Sequence, residues 1–184
     1  MSEVDFRRVP ADEAGSLRDE LGEVYREVFA EAPYEYGEEH VQLFLERFDV
    51  QRQRPGAALA VARDASATMV GFSFGLTMPS DSPWWTGLTT EVDPGVTDEP
   101  AGRTFMLIEL LVRRDWRSAG VSARLHDLVL EDRTEERATL TVRPDARAAQ
   151  RAYARWGWSK VAQKRNPLPG SPIFDVPVKP LPDA

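Results

Sequence analysis

A short turn in the second half of the chain has the residue types of an anion-binding site. Residues 109–122 are ELLVRRDWRSAGVS, an apolar run followed by the small residues Ser118, Ala119 and Gly120 and then by a helical segment. Small residues let the backbone approach a ligand, and the first N–H groups of a helix bind anions because they lack a partner within the helix. Arg117 adds a full positive charge. The turn therefore predicts a phosphate site, with an ordinary tight connection as the alternative.

The residue types exclude several other chemistries. The chain has no cysteine and two histidines, His40 and His126, so a cysteine nucleophile, a disulfide framework and a cysteine-ligated zinc site are impossible. Neither G-x-x-x-x-G-K-[ST] nor G-x-G-x-x-G occurs, which removes the usual nucleotide hydrolases and dehydrogenases. A Ser-His-Asp hydrolase would need one of these histidines beside a strained elbow such as G-x-S-x-G, and we expect no such elbow.

Charge is distributed unevenly along the chain. Residues 1–102 hold 8 Lys+Arg against 20 Asp+Glu, a net −12, whereas residues 103–165 hold 14 against 8, a net +6. This predicts a cationic partner near the first half and a phosphate-bearing partner near the second, or else two ordinary solvated surfaces. With a formal net charge of −7, we expect no nucleic-acid partner. No stretch approaches the roughly 18 apolar residues of a membrane span, so we expect a cytoplasmic protein without a membrane partner.

Apolar periodicity predicts the elements that must position these residues. Strands are expected at residues 4–9, 57–63, 68–78, 105–112, 138–142, 158–162 and 172–178. Helices are expected at about 12–28, 40–48, 121–132 and 144–156, and residues 79–103, with four prolines and three glycines, predict a long loop. Gly71 and Gly75 predict a bulge or a close backbone approach within their strand. The order indicates one domain, residues 1–184, of the α/β or α+β class with a mixed sheet.

Two linked motifs then point to a family. A strand ending in V-x-P, followed by R/Q-x-x-G-x-G/A at the start of a helix, is matched at Val112, Arg117, Gly120 and Ser122. A later helix of the form N-x-x-A-x-x-x-Y-x-x-x-G-F is matched at Ala149, Tyr153, Gly157 and Trp158. In these motifs, and in its order of elements over about 5–178, the chain resembles the GNAT superfamily of N-acetyltransferases. Three positions depart from the pattern, with other residues in place of proline, glycine and asparagine: Arg114, Ser118 and Ala146.

The resemblance implies a GNAT-like fold and a site for acetyl-CoA as co-substrate, with no metal. The fold would be a mixed, mostly antiparallel sheet of about seven strands flanked by about four helices. The pyrophosphate would lie on backbone N–H groups of residues 117–122, and the pantetheine arm would pair with the strand edge near Leu111 and Val112. The implied cofactor-binding residues are Leu111, Val112, Arg117, Ser118, Ala119, Gly120, Val121 and Ser122.

Two residues are candidates for the chemistry of amine acetylation, which needs a base for the acceptor nitrogen and an acid for the leaving thiolate. Glu109 is the predicted general base because it interrupts an apolar strand, where burial raises a carboxyl pKa. The alternative is a structural carboxylate paired with an arginine. By its place in the family's helix, Tyr153 is the predicted general acid toward the CoA sulfur. The alternative is a core residue that shares a stripe with Ala149 and Trp156.

Aromatic residues flanked by carboxylates predict the acceptor site, because this combination suits a cationic amine. Tyr34 and Tyr36 lie between the first two helices, and Trp84 and Trp85 lie in the long loop. We expect all four to be exposed. The family usually places its acceptor site against these two regions, and the alternative is that loop aromatics only cover the sheet edge.

The resemblance thus implies an acetyl-CoA-dependent N-acetyltransferase that acts on a primary amine of a small molecule or a protein. Transfer would be direct, because no cysteine is present to carry an acyl intermediate. The alternatives are a non-catalytic acyl-CoA-binding or regulatory module of the same fold and a transferase with a different acyl donor. A homodimer is possible, because the proline-rich segment 167–182 frames a final strand that either pairs across a dimer or only covers the sheet.

Overall fold

The computed structural model describes residues 3–166 and 170–181, so both ends of the proline-rich segment lie outside the described residues. The chain forms two compact units. Unit 1 comprises residues up to Leu76 and Leu107–Asp132, and unit 2 comprises Thr77–Met106 and the residues from Arg133 onwards. The single-domain organisation expected from the sequence stays a prediction.

Seven strands and six α-helices form in the described residues, and four of the helices are longer than one turn. In chain order the elements are β1 (Asp5–Val9), α1 (Ala11–Ala14), α2 (Arg18–Phe29), α3 (Glu38–Gln51), β2 (Ala58–Arg63), β3 (Met69–Thr77), α4 (Pro94–Thr97), β4 (Thr104–Val112), α5 (Val121–Leu130), β5 (Arg137–Thr139), α6 (Arg147–Arg155), β6 (Ser159–Arg165) and β7 (Ile173–Pro180). Three short 3-10 turns accompany them, at Gly15–Leu17, Pro83–Trp85 and Arg114–Trp116. None of the helices in the described residues has the length and apolar character needed to cross a membrane.

The strands form one seven-stranded sheet in the order β1-β2-β3-β4-β5-β7-β6. The pairs β1–β2, β2–β3, β5–β7 and β7–β6 are antiparallel, whereas β4 and β5 run parallel through Thr104–Met106 and Arg137–Thr139. The predicted α/β class with a mixed, mostly antiparallel sheet is therefore confirmed. The expected role of the last strand is wrong in both alternatives, because β7 lies inside the sheet between β5 and β6. Periodicity identifies a strand but not its neighbours.

Apolar residues at helical spacing pack α2 and α3 into the core of unit 1. Buried positions recur at i, i+3, i+4 and i+7 in α3, namely Val41, Phe44, Leu45 and Phe48. The helix expected from residue 12 is broken into α1, a 3-10 turn and α2, and the turn begins at Gly15, a residue of low helix propensity. The close approach expected at Gly71 is present, since a Cβ there would lie 2.7 Å from the carbonyl oxygen of Leu111.

The nucleophile-elbow pattern G-x-S-x-G, which we expected to be absent, does occur as GFSFG at residues 71–75. It is not an elbow, because Ser73 lies within β3 rather than in a strand-to-helix turn. The side chain of Ser73 is fully buried, and its hydroxyl donates to the carbonyl oxygen of Leu125 at 3.1 Å. The conclusion against a serine hydrolase therefore stands on the position of the serine, not on the absence of the pattern.

The long loop in unit 2 is held by backbone bonds to β6. The N–H of Arg165 donates to the carbonyl of Gly87 at 2.9 Å, and the N–H of Thr89 donates to the carbonyl of Gln163 at 2.9 Å. Gly87 has φ +70°, and a Cβ at this position would collide with the carbonyl oxygen of Arg165. Residues 87–90 thus run along the outer side of β6, a placement that the irregular composition of the loop does not predict.

Candidate active site

The turn between β4 and α5 has an unusual backbone conformation. Ser118 and Gly120 both adopt positive φ, at 65° and 80°. Gly120 immediately precedes the first residue of α5, and it occupies the left-handed region without steric penalty. A serine in that region is uncommon and carries a cost that the surrounding structure must offset. The small residues of the predicted phosphate turn therefore allow a conformation that larger side chains disfavour.

Most of the N–H groups in this turn are available to a ligand. In the described part of the chain, the N–H groups of residues 118–122 donate to no protein acceptor. Ser118, Ala119 and Gly120 are exposed. The N–H of Arg117 differs from the prediction, because it donates to the carbonyl of Arg114 at 3.1 Å. The head of α5 thus combines unpaired donors with the positive end of a helix dipole, which favours an anion.

The Arg117 side chain lies against the protein. Its Nε donates to the carbonyl oxygen of Val112 at 3.0 Å, and its Nη1 donates to the carboxylate of Glu31 at 2.8 Å. Hydrogen bonding and charge from Arg117 hold the pKa of Glu31 below its usual range. The full charge expected to face a phosphate is therefore balanced by a carboxylate from the turn after α2.

Glu109 lies in the part of β4 that belongs to unit 1, and it is half-buried. Burial raises its pKa to about 8, and the positive charge of Arg47 opposes the shift only in part. The negative charge of Glu109 in turn adds to the burial that raises the pKa of Tyr25. Among residues 3–166 and 170–181, no cation forms an ion pair with Glu109, so the structural pairing considered as an alternative is not observed.

Tyr34 and Tyr36 lie together in a half-buried aromatic cluster of unit 1, whereas we expected both to be exposed. Their ring centroids are 5.6 Å apart, and both rings pack on Phe29, at 4.8 and 5.3 Å. Tyr36 also stacks on His40 at 4.2 Å. The cluster is built locally, because the chain returns on itself through the hydrogen bond from Tyr36 N–H to the Phe29 carbonyl at 2.8 Å.

Tyr153 lies on α6 in unit 2 and is half-buried. Its ring meets Trp156 and Trp158 edge to face, with centroids 5.7 Å away in both cases. The aromatic stripe considered as an alternative is thus present around it. Glu109 belongs to unit 1 and Tyr153 to unit 2.

Solved structures share this order of helices and strands, although no protein-family model and no curated protein matches the sequence. An acetyltransferase of the GNAT family from Staphylococcus aureus aligns over 97% of this chain and 99% of its own, with a TM-score of 0.67 and 17% identity. The chain has the GNAT fold. At this level of identity the likeness concerns the fold alone.

Two further structures have the GNAT-like arrangement. The PaiA N-acetyltransferase from Thermoplasma acidophilum, solved in complex with coenzyme A, aligns over 97% of this chain and 99% of its own, with a TM-score of 0.57 and 12% identity. The ribosomal-protein-S18-alanine N-acetyltransferase from Escherichia coli aligns over 97% and 94%, with a TM-score of 0.62 and 14% identity.

The departure from the GNAT pattern at Ser118 has a structural meaning. The family's common glycine after the arginine falls at a position where this chain has φ +65°. Glycine adopts this conformation freely, whereas serine needs help from its surroundings. The neighbouring residue, Arg117, is held by bonds to Val112 and Glu31.

Trp84 and Trp85 are also half-buried rather than exposed, and they pack on cations within unit 2 of the GNAT fold. The Lys164 ammonium donates to the carbonyl oxygen of Trp84 and lies 5.1 Å from the centroid of its ring. The Trp85 Nε1 donates to Glu99 at 3.1 Å, and the Arg137 guanidinium lies 5.3 Å from its ring. This packing corresponds to the alternative in which loop aromatics cover the sheet edge.

The contact that the sequence did not reveal is the bond from Arg117 to Glu31, which is one of the carboxylates flanking the aromatic residues of the predicted acceptor site. The two residues lie 86 positions apart, so no local motif joins them. Glu31 follows another glutamate, Glu27, by four positions, at and beyond the end of α2. In the structure both bind arginines of the turn between β4 and α5, with Glu27 Oε1 3.3 Å from Arg113 Nη1. His126 is buried, with 2% of its area exposed.

Proposed function

We propose that this protein transfers an acetyl group from acetyl-CoA to a primary amine of a small molecule or a protein. The observation that carries the proposal is the row of unpaired N–H groups at residues 118–122, which lies at the head of α5 directly after β4. Five backbone donors beside a helix dipole fit a pyrophosphate. The PaiA neighbour, which was solved with coenzyme A, supports the same class of ligand.

The strand before the turn offers a place for the pantetheine arm. The carbonyl group of Leu111 points toward β3, since its oxygen would lie 2.7 Å from a Cβ atom placed on Gly71. Leu110 and Val112 therefore present their backbone groups on the other side, because successive residues of a strand alternate. The Val112 carbonyl already accepts from Arg117 Nε at 3.0 Å, which leaves the Val112 N–H and the Leu110 groups for pairing.

Glu109 serves as the general base. Acetyl-CoA supplies the acetyl group as a thioester, and transfer forms an N–C bond while a C–S bond breaks. With a pKa of about 8, the Glu109 carboxylate is a stronger base than an ordinary carboxylate, and its ionised form accepts the proton of the acceptor nitrogen. The Tyr153 hydroxyl donates a proton to the departing sulfur. One proton is therefore taken up and one is returned in each turnover.

The aromatic cluster near Glu109 suits an amine acceptor. The charge of Glu109 contributes to the raised pKa of Tyr25. The Tyr25 ring stacks on Phe44, with ring centroids 4.4 Å apart. Tyr34 and Tyr36 continue the same cluster through Phe29. Aromatic faces beside a carboxylate attract an ammonium group before it loses its proton. The Escherichia coli neighbour is named for acetylation of an alanine of a ribosomal protein, which is also an amine acceptor.

The direct test measures free-thiol release from acetyl-CoA with a panel of polyamines, aminoglycosides, small amines and peptide N-termini. We expect release that depends on one class of acceptor, together with CoA binding measured by calorimetry. Binding without release for any acceptor would favour the non-catalytic module. Faster release from longer acyl-CoA donors would favour a different acyl group, and failure to bind CoA would overturn the proposal.

Replacing Tyr153 with phenylalanine tests the proposed acid. We expect kcat to fall by about 10²-fold, because the phenol proton is lost while the ring remains. The packing of the ring on Trp156 and Trp158, with centroids 5.7 Å away, should be kept. An unchanged kcat would assign Tyr153 to the aromatic stripe, and Trp156→Phe serves as a control that alters the same stripe without touching the phenol.

A further inference from the structure

Two carboxylates from the end of α2 bind the arginines of the donor turn, defined as residues 113–120. The Glu31 carboxylate lies 2.8 Å from Arg117 Nη1 and 3.4 Å from Arg114 Nη2. Glu27 lies 3.3 Å from Arg113 Nη1. All of these residues belong to unit 1. Glu31 is the more enclosed carboxylate, with 27% of its side chain exposed against 54% for Glu27.

The Arg117 side chain links the donor turn to the end of β4. Its side chain reaches back five residues to the carbonyl of Val112, and its own N–H bonds the carbonyl of Arg114 at 3.1 Å. The next residue, Ser118, has φ +65°, a conformation that isolated chains rarely adopt. A long arginine side chain has many rotamers, so a second fixed partner is needed to keep it in this one. Glu31 is that partner.

The backbone of Glu31 organises a different part of the site. Its carbonyl oxygen accepts from the N–H groups of Tyr34 at 3.0 Å and Glu35 at 3.1 Å. It therefore begins the acceptor turn, defined as residues 31–37, which carries Tyr34 and Tyr36. The side chain of Glu31 holds the donor turn while its main chain holds the acceptor turn.

We infer that Glu31 is a positioning residue, which fixes the donor turn through Arg117 and thereby couples donor binding to the acceptor turn. The inference rests on the proposed function, because it takes residues 118–122 as the donor site. Glu31 itself touches neither reacting group. Its carboxylate limits the rotamers of Arg117. A tighter contact with Arg117 also restrains the Glu31 carbonyl, which accepts from the N–H groups of residues 34 and 35.

The variant Glu31→Asp separates positioning from charge. It keeps the negative charge but shortens the side chain by one methylene, so the 2.8 Å bond to Arg117 cannot form without movement. We expect the Kd for CoA, measured by calorimetry, to rise by about fivefold, which is the effect of losing one hydrogen bond of ordinary strength. Glu31→Gln should stay near the wild-type Kd, because its amide oxygen still accepts from Arg117. In an Arg117→Ala background, Glu31→Asp should change Kd no further.

A matched control and a second readout complete the test. Glu23→Asp makes the same change at an exposed position of α2, and it should leave the Kd unchanged. Hydrogen exchange should show that CoA protects residues 31–37 in the wild type and protects them less in Glu31→Asp. Wild-type protein that fails to bind CoA would contradict the proposed function. Wild-type protein that binds CoA, with an unchanged Kd and unchanged protection in Glu31→Asp, would overturn the inference about Glu31.

Discussion

Replacing Glu109 with glutamine should lower kcat by about 10²–10⁴-fold, the usual contribution of a general base. Glutamine keeps the shape of the side chain but cannot accept a proton. The pH profile of kcat/KM supplies a second signature. In the wild type the rate should rise with pH as Glu109 ionises, with a midpoint near its pKa of about 8. The variant should lack this inflection, as measured by thiol release across pH 6 to 10.

The same substitution should stabilise the protein at alkaline pH. Burial raises the pKa of Glu109 from its ordinary 4.5 to about 8, so the unfolded state ionises first. Folding therefore becomes less favourable as pH rises from 4.5 to 8, and the full penalty is present above pH 8. Glu109→Gln removes this penalty, so its gain in melting temperature should be absent at pH 4 and largest at pH 9. Glu46→Gln, at an exposed position of α3, should show neither effect.

Replacing Glu99 with glutamine should destabilise unit 2 by about 3–5 kcal/mol, because it leaves a buried guanidinium without its counter-charge. Glu99 and Arg137 lie 3.0 Å apart, with 9% and 7% of their side chains exposed. The same carboxylate accepts from Trp85 at 3.1 Å and from Thr104 at 2.9 Å, so one oxygen ties the long loop to β4. Urea unfolding followed by tryptophan fluorescence measures the loss.

The chain provides a matched pair for this experiment. Glu136 and Arg103 are also in unit 2 and lie 3.1 Å apart, but 62% of the Glu136 side chain is exposed. Water screens this pair, so Glu136→Gln should lower the free energy of unfolding far less than Glu99→Gln. If Glu99→Gln and Glu136→Gln lowered the free energy of unfolding equally, burial would not determine the contribution of the Glu99–Arg137 pair.

Local features of the site could be predicted from the sequence because local residues create them. The small residues before α5 produce a turn with free N–H groups, and a lone carboxylate in an apolar strand acquires a raised pKa. Helix and strand types followed from periodicity in the same way. Each of these depends on neighbours within a few positions of the chain.

Contacts between distant residues could not be predicted. The bond from Arg117 to Glu31 spans 86 positions, and the bond from Lys164 to Trp84 spans 80. A charge on a surface helix has many possible partners, and only the fold selects one. The same holds for the acidic and basic halves, since part of their charge is balanced internally by Glu27 and Glu31 on Arg113 and Arg117. Net charge along a sequence therefore overstates what faces solvent.

The segment that runs along β6 has a consequence for how copies of the chain can associate. An outer strand normally offers unpaired N–H and carbonyl groups, and these recruit strands of other molecules. Here the N–H groups of Gln163 and Arg165 are already bonded to Thr90 Oγ1 and to the Gly87 carbonyl. Pairing with a strand of another molecule is therefore blocked at Gln163 and Arg165, the end of β6. The loop that holds Trp84 and Trp85 thus also occupies this part of the sheet edge.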